Sequence, residues 1–359
     1  MNHKKFFSYT LISWNQSNNE RKMPWKGEKD PYKIWISEII LQQTRVQQGL
    51  AYYERFIKTF PNVESLATSP EQKVFKAWEG LGYYTRCRNI IASAKYIYEN
   101  LDSKFPENYE IILSLKGIGP YTAAAISSFA FNKPFAVLDG NVFRLLSRFF
   151  GIEMPINTTA GKKYYGKLAQ LLLDKENPSE YNQAIMDFGA VICKPALPQC
   201  LQCPLQKKCI AFSDNKVSFF PVNEKITRQK KRFFNYFVVE YQQKFYIKER
   251  TEKDIWQNLN EFILIESGSL LEEENFIKND LFLSLFKDQS FAVKDISAIY
   301  SQKLTHQLIK GRFFHIKLKK PLKKPVKFEL ATKKQLDALA FPKFIASYLK
   351  DKNVSLNLM

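Results

Sequence analysis

Residues 193–209 read CKPALPQCLQCPLQKKC and hold four of the five cysteines in a chain of 359 residues. The spacing is Cys193-x6-Cys200-x2-Cys203-x5-Cys209. Two disulfides are one interpretation, but they are typical of small secreted domains. A zinc site usually combines two short Cys-x2-4-Cys pairs, and only Cys200 and Cys203 form such a pair. A [4Fe–4S] cluster also takes four thiolates and tolerates uneven spacing. Zinc and an iron–sulfur cluster therefore both stay open on spacing alone.

The charge balance predicts an acidic partner. Lys and Arg number 54 against 35 Asp and Glu, which gives a net charge of +19. Such an excess attracts polyanions, of which nucleic acid is the commonest inside cells, although a merely basic surface or affinity for an anionic membrane is an alternative. No apolar run approaches the ~20 residues of a transmembrane helix, and the N-terminus lacks a secretory pattern. We expect a cytoplasmic, nucleoid-associated protein that binds no membrane.

The chain divides by composition into three regions. Residues 1–212 show apolar positions at helical spacing separated by turn residues, and predict a helical domain that ends in the cysteine stretch. Residues 213–232 become basic and predict a linker. Residues 233–359 begin with alternating aromatic and β-branched residues, and residues 233–248 predict a hairpin around Gln242-Gln243. The length agrees with two domains.

A further strand is predicted at residues 314–319, FHIKLK, where apolar residues alternate with basic or potentially basic ones. One face of this strand would carry positive charge. A solvated edge strand is the alternative, because lysine also protects exposed sheet edges.

Residues 115–123, LKGIGPYTA, combine a Gly-x-Gly turn with the start of an apolar helical segment. Gly117 and Gly119 allow a tight turn and a close approach to a phosphate oxygen, to which amides of the next helix donate. A plain corner between two helices is the alternative. Asp139 in VLDGNVFR stands where a helix N-cap belongs, and a purely structural cap is the alternative there. Followed by Asp139 and by the cysteine stretch, the segment resembles a helix-hairpin-helix DNA-binding element.

Further segments extend this resemblance to one family. Four segments are similar to adenine DNA glycosylases of the MutY type, in the endonuclease III superfamily. They are Pro24-Trp25-Lys26, WISEIILQQTRV at 35–46, GLGYYTR at 80–86 and MDFGA at 186–190. The resemblance implies a mostly α catalytic domain with the helix-hairpin-helix glycosylase fold and an iron–sulfur cluster loop at 193–209. It also implies a smaller α+β MutT-like domain at 233–359.

The resemblance assigns a role to each candidate residue. Glu38 would be the acid catalyst, and Asp139 would stabilise the sugar cation or attack it. Tyr121 and Asn141 would support this chemistry. The four cysteines would hold a [4Fe–4S] cluster. The implied DNA and base contacts are Trp25, Lys26, Gln43, Tyr83, Gly117, Gly119, Leu304, Thr305 and His306. The implied partner is double-stranded DNA with adenine opposite 8-oxoguanine or guanine, bound by a monomer.

Glu38 also stands out without the resemblance. It is the only acid between Asp30 and Glu54, and isoleucines and a tryptophan surround it. Burial there would raise its pKa and keep it protonated, as an acid catalyst requires. A solvent-facing glutamate is the alternative that helix periodicity allows. Since Asp139 must be ionised at the same time, we expect the two environments to separate the two pKa values.

Tyr121 and two segments of the C-terminal region refine the expected activity. Relatives that also cut the strand carry a lysine where Tyr121 stands, and a phenol cannot form the Schiff base, so we expect a monofunctional glycosylase.

Leu304-Thr305-His306 resembles the family's lesion-recognition loop, normally Phe-Ser-His. Residues 258–263, NLNEFI, depart from the family's GLWEFP, and the pyrophosphohydrolase box is absent. This domain is therefore expected to bind without hydrolysing.

Three other functions stay open. An endonuclease III-like glycosylase and lyase acting on oxidised pyrimidines is the nearest, but Tyr121 and the long C-terminal region oppose it. A non-catalytic iron–sulfur DNA-binding protein is opposed by Glu38 and Asp139 in their contexts. A zinc-stabilised nucleic-acid module is the third.

Overall fold

The computed structural model describes residues 3–21, 23, 26–42, 44, 46–224, 229–272, 274–286, 289–322 and 327–351. Trp25 and Gln43, both predicted DNA contacts, lie outside these residues. The chain forms two compact units. The first contains Met1–Thr68 and Asn89–Ile226, and the second contains Ser69–Arg88 and Thr227–Met359. Residues 69–88, from the middle of the predicted helical domain, thus group with the C-terminal region.

The first unit is helical, as predicted. Its helices are α1 (His3–Asn18), α2 (Pro31–Leu41), α3 (Val46–Thr59), α4 (Val63–Ala67), most of α6 (Tyr84–Asn100), α7 (Tyr109–Ser114), α8 (Pro120–Phe131), α9 (Gly140–Phe150), α10 (Thr159–Leu172), α11 (Pro178–Val191) and α12 (Ile210–Ser213). Phe7 and Trp14 of α1 pack on Phe149 of α9 and Phe188 of α11 in a shared core. This core fixes α9 and α11, which carry functional candidates.

The predicted hairpin of helices is present. It runs from α7 through the turn at residues 115–119 into α8. Gly117 has φ +83°, and a Cβ there would lie 2.5 Å from the Cβ of Asn89, so the turn needs a glycine for both reasons. Gly119 is the N-cap of α8 and has no side chain with which to accept from the first backbone amides of the helix.

The second unit is built around a mixed sheet. Its strands are β1 (Lys230–Tyr241), β2 (Lys244–Glu249), β3 (Asn260–Glu261), β4 (Ile263–Ser267), β5 (Phe291–Ile296), β6 (Tyr300–Lys303), β7 (Gln307–Leu318) and β8 (Glu329–Thr332). The path is β3-β2-β1-β7-β5, with β4 on β1, β6 on β7 and β8 on β2. Strands β1 and β7 are parallel, and the other pairs are antiparallel.

The sheet confirms one expectation and corrects another. The predicted hairpin is β1–β2, and Gln242 and Gln243 turn it with φ +48° and +61°. Strand β1 starts at Lys230, inside the predicted linker. The edge-strand alternative for residues 314–319 is wrong, because β7 pairs with β1 on one side and with β5 on the other.

Helices cover both faces of the sheet. On one face, Phe237 and Phe314 pack on Phe276 and on Phe282 of α13 (Asp280–Phe286). On the other face, Phe313 stacks on Tyr348 of α15 (Lys343–Lys350) at a centroid distance of 4.0 Å. The unit also contains α5 (Glu71–Trp78) and α14 (Lys333–Ala338). It is a separate α+β domain, consistent with the predicted MutT-like domain. No helix among the described residues is long and apolar enough to span a membrane.

Candidate active site

A cavity of about 1130 Å³ lies within the first unit. Its walls come from α2, from the N-termini of α8 and α9, from α11, and from residues that precede α2. Glu38, Tyr121 and Asp139 all line it. The structure therefore brings three of the four predicted catalytic residues to one cavity, although they come from three different helices.

Glu38 is buried in α2, as the apolar sequence around it predicted, with 8% of its surface exposed. The Tyr121 hydroxyl donates to its Oε2 at 2.7 Å. Burial raises the pKa of Glu38 to about 7, the charge of Asp139 adds to the rise, and the hydrogen bond from Tyr121 opposes it. In the described part of the chain Glu38 accepts from Tyr121 alone. A carboxyl group so placed holds its proton near neutral pH.

Asp139 is the N-cap of α9, where its Oδ1 accepts from the Val142 amide at 2.8 Å. Its Oδ2 accepts from Asn141 Nδ2 at 2.7 Å. Arg144 in turn donates to Asn141 Oδ1 at 2.9 Å, which fixes the amide orientation. Burial raises the pKa of Asp139, while Val142, Asn141 and Arg144 oppose the rise. The residue is therefore both a helix cap and a wall of the cavity.

The two carboxyl groups differ in their hydrogen-bond donors. Asp139 accepts hydrogen bonds from the Val142 backbone amide and the Asn141 side chain, and the positive charge of Arg144 is nearby. All three favour the ionised form of Asp139. Glu38 accepts one hydrogen bond, from the Tyr121 hydroxyl. The cavity thus combines a group that retains a proton with a group better stabilised as an anion, which is the arrangement required for acid-assisted cleavage at a sugar carbon.

Asp187, to which the sequence analysis gave no role, is bonded to two residues of the cavity wall. Its side chain, on α11, is fully buried and accepts from Asn19 at 2.8 Å, from Arg21 at 2.6 Å and from Lys26 at 3.1 Å. Burial would raise its pKa, but these bonds and one from Gln183 outweigh burial and lower it. Arg21 and Lys26 both line the cavity. The signal in the sequence was a single acid within the apolar stretch AIMDFGA.

The cysteines lie together after α11. Cys193, Cys200, Cys203 and Cys209 line one small cavity, into which Arg148 also projects. Arg148 Nη1 donates to Cys193 Sγ at 3.5 Å. Burial raises the pKa of Cys203 to about 12, and the three other thiols contribute to the rise. No group of three or more His, Cys, Asp or Glu residues that could hold a single metal ion occurs within the described ranges. The fifth cysteine, Cys87, is buried.

The remaining candidates lie in the second unit. Tyr83 follows Gly80 and Gly82, has φ +48° itself, and is 49% exposed. Its hydroxyl is 3.5 Å from Thr305 Oγ1. Leu304, Thr305 and His306 form the turn between β6 and β7, in which Thr305 and His306 are exposed. Tyr83 and Thr305, two predicted DNA contacts that are far apart in the sequence, are therefore neighbours in the structure.

Comparisons with known proteins agree with this architecture. Residues 36–165 match the family described as HhH-GPD superfamily base excision DNA repair protein. A thermostable thymine-DNA glycosylase of known structure has a TM-score of 0.55 and 29% identity, covering 59% of this chain and 97% of that one. An endonuclease III in a non-covalent DNA complex has a TM-score of 0.52, covering 60% and 99%. At 20% identity, the second likeness concerns the fold alone.

The fold and the cavity thus define a glycosylase of the helix-hairpin-helix class. The adenine DNA glycosylase of Buchnera aphidicola subsp. Schizaphis graminum is 42% identical over 255 residues, which cover 70% of this chain and 73% of the relative. That of Buchnera aphidicola subsp. Baizongia pistaciae is 35% identical over 305 residues, covering 84% and 83%. The chain belongs to the adenine DNA glycosylase family and is therefore an enzyme, a DNA glycosylase of base excision repair.

Proposed function

We propose that the chain hydrolyses the N-glycosidic bond of adenine paired with 8-oxoguanine or guanine in duplex DNA, and leaves the strand uncut. One observation carries this proposal. Buried Glu38 and half-buried Asp139 line one cavity; Asp139 accepts from two donors that favour its ionised form, whereas Glu38 accepts from one, and burial raises the pKa of Glu38 to about 7.

Substrate entry requires base flipping. An adenine inside the duplex cannot reach buried carboxyl groups, so it must leave the stack at a cost of roughly a few kcal/mol, which mispairing lowers. A cavity of about 1130 Å³ has room for the base and its sugar. By family resemblance, Gln43 and Tyr83 fill or wedge the opened stack, and Trp25 and Lys26 border the base.

The chemical step uses the two carboxyl groups in different roles. Glu38 donates its proton to adenine N7, so that the base leaves as a neutral molecule. Asp139, as an anion, faces the developing oxocarbenium ion or attacks it, as in retaining glycosidases. Asn141 holds Asp139, and Tyr121 holds Glu38. Because position 121 is a phenol, no Schiff base forms there, which supports the monofunctional assignment.

Affinity for DNA comes largely from the phosphate backbone. The net charge of +19 favours release of counterions from duplex DNA. The turn at Gly117 and Gly119 exposes amides at the start of α8, which are donors for a phosphate oxygen. One complete cavity within a single unit is consistent with a monomer.

Recognition of the opposite base is assigned to the second unit. Thr305 offers a hydroxyl that donates and accepts, while Leu304 can wedge without stacking, and His306 is exposed beside them. The 3.5 Å approach of Tyr83 to Thr305 supports joint contact of both residues with the lesion.

The cysteine site fits a [4Fe–4S] cluster. Four cysteines line one cavity, and four thiolates are the number that a [4Fe–4S] cluster takes. The cationic Arg148 beside Cys193 would offset the negative charge of such a group. The cluster would organise residues 193–209, which include Lys207 and Lys208. Equal amounts of iron and acid-labile sulfide in the purified protein would support this assignment, and zinc would refute it.

One assay tests the proposed activity. Duplexes carrying adenine opposite 8-oxoguanine, adenine opposite guanine, or an oxidised pyrimidine are incubated with the full-length protein, and strand breaks are scored with and without alkali. We expect breaks at adenine, after alkali only, and fastest opposite 8-oxoguanine. Breaks at the pyrimidine, or breaks without alkali, would instead indicate an endonuclease III-like enzyme.

A further inference from the structure

The turn that presents Tyr83 is attached to the C-terminal part of the chain. Residues 69–88 belong to the same compact unit as Thr227–Met359. Gln72 donates to the backbone oxygen of Asn258 at 3.5 Å, and Arg88 donates to that of Gln257 at 2.7 Å. The segment is therefore bonded to this unit at both of its ends.

A denser set of contacts surrounds the turn itself. One oxygen of Glu79, Oε1, accepts the Phe341 amide hydrogen at 3.1 Å. The other, Oε2, pairs with Lys76 Nζ at 2.9 Å, and Lys76 Nζ also donates to the Leu339 oxygen at 2.8 Å. Tyr84 donates to the Phe341 oxygen at 3.2 Å. Three side chains beside the turn thus hold the backbone of residues 339–341.

Residues 339–341 are themselves fixed to the sheet. The Ala340 oxygen accepts from the Asn260 amide at 2.9 Å and from Asn260 Nδ2 at 3.1 Å, and Asn260 begins β3. Contacts to this backbone therefore tie the turn to the sheet that also carries Thr305.

The turn needs such support because its backbone is strained. Gly80, Gly82 and Tyr83 have φ of +96°, +74° and +48°, and Tyr83 adopts the left-handed region that side chains disfavour. The turn is closed by Trp78, which donates to the Gly82 oxygen at 3.1 Å. A strained conformation persists where the surrounding structure holds it in place.

We infer that Glu79, with Lys76, is a positioning residue that holds Tyr83 in register with Thr305 and thereby sets the preference for the base opposite adenine. This inference rests on the proposed function. Glu79 acts through Tyr83, so its effect should appear in discrimination between 8-oxoguanine and guanine, with stability of the fold little changed.

The test is a double-mutant cycle in the full-length protein. Glu79→Ala removes the acceptor for the Phe341 amide, and a hydrogen bond to a charged group corresponds to about a tenfold effect. We expect single-turnover release of adenine opposite 8-oxoguanine to fall about tenfold, with a smaller fall opposite guanine. In a Tyr83→Ala background, Glu79→Ala should cause no further fall, because coupled residues are not additive.

Two variants serve as controls. Glu79→Gln keeps an oxygen for the Phe341 amide and should recover part of the discrimination. Glu64→Ala removes an exposed glutamate of α4 and should leave discrimination unchanged. Binding to duplexes with a non-hydrolysable adenine analogue gives the same comparison without catalysis.

The outcomes separate this inference from the proposed function. A wild-type protein that releases no adenine refutes the proposed function, and the binding preference then decides the role of Glu79. Normal wild-type activity with unchanged discrimination in Glu79→Ala refutes the positioning role alone. Additive losses in the double variant, or equal losses on both duplexes together with a lower melting temperature, would also refute it, because they indicate a purely structural residue.

Discussion

Two buried glutamates, Glu38 in the helical unit and Glu261 in the sheet unit, have opposite surroundings. They are 8% and 1% exposed. Glu261 forms an ion pair with Arg250, lies 3.4 Å from Lys248 Nζ, and accepts from the Tyr236 hydroxyl at 3.4 Å. Glu38 accepts a hydrogen bond from the Tyr121 hydroxyl and forms no ion pair with any Lys, Arg or His of the described part of the chain.

The difference shows that burial alone does not make a carboxyl group a catalyst. A buried charge is tolerated when cations and donors compensate it, as at Glu261, and such a group contributes to the fold. Without a cation, burial instead raises the pKa of Glu38 to about 7, as the proposed role of proton donor requires. Replacing each glutamate should therefore affect different properties of the protein.

The largest effect is expected for Glu38→Gln on catalysis. Glutamine accepts the Tyr121 hydroxyl hydrogen but has no acidic proton to give, so single-turnover release of adenine should fall roughly a thousandfold. Binding to the mispaired duplex should persist. Glu110→Gln, at an exposed position of α7, provides the matched control. Turnover retained by Glu38→Gln would exclude the acid role.

Glu261→Ala should act on stability instead. It leaves the Arg250 guanidinium buried without its main partner, and breaking a buried ion pair costs about 3–5 kcal/mol. Denaturant unfolding of the sheet unit would measure this loss, with Glu329→Gln on β8 as the exposed control. The double replacement Glu261→Leu with Arg250→Met should recover much of the stability. Equal stability of Glu261→Ala and wild type would contradict the comparison.

Local patterns made the helical site predictable. Glu38 was an isolated acid in an apolar helix, Asp139 stood at an N-cap position, and Gly117 marked a tight turn. Each of these depends on neighbours within a few residues. Burial, capping and positive φ therefore followed from the sequence, and the structure agrees with all three.

Distant pairings could not be predicted in this way. Asp187 bonds Arg21 across 166 positions, and no periodicity links the two. The central position of β7 arises from its parallel pairing with β1, which sequence alternation does not specify. The contacts of Glu79 with Phe341 are also long-range, at 262 positions. Such contacts depend on topology, so the sequence left them open.

Glu38→Gln should also stabilise the protein, with a pH dependence opposite in sign to that of a paired acid. The folded-state pKa is about 7 against 4.5 for the free group. In wild type, Glu38 therefore does not lower the free energy of unfolding below pH ~4.5. As the pH rises from ~4.5 to ~7, this free energy falls by up to about 3 kcal/mol. The variant should unfold at a higher temperature than wild type at pH 8, and at a similar temperature near pH 4.5. An equal difference at both pH values would contradict a raised pKa.

The smallest expected effect concerns the pH dependence of catalysis, and it tests the one donor that Glu38 has. If protonated Glu38 is the active form, as proposed, the wild-type single-turnover rate should fall above pH ~7, approaching tenfold per pH unit. The hydrogen bond from Tyr121 lowers the pKa of Glu38. Tyr121→Phe removes that bond, so its rate should begin to fall at a higher pH than in wild type, even where the maximal rate is reduced. A decline at the same pH in both proteins would mean that a group other than Glu38 supplies the proton.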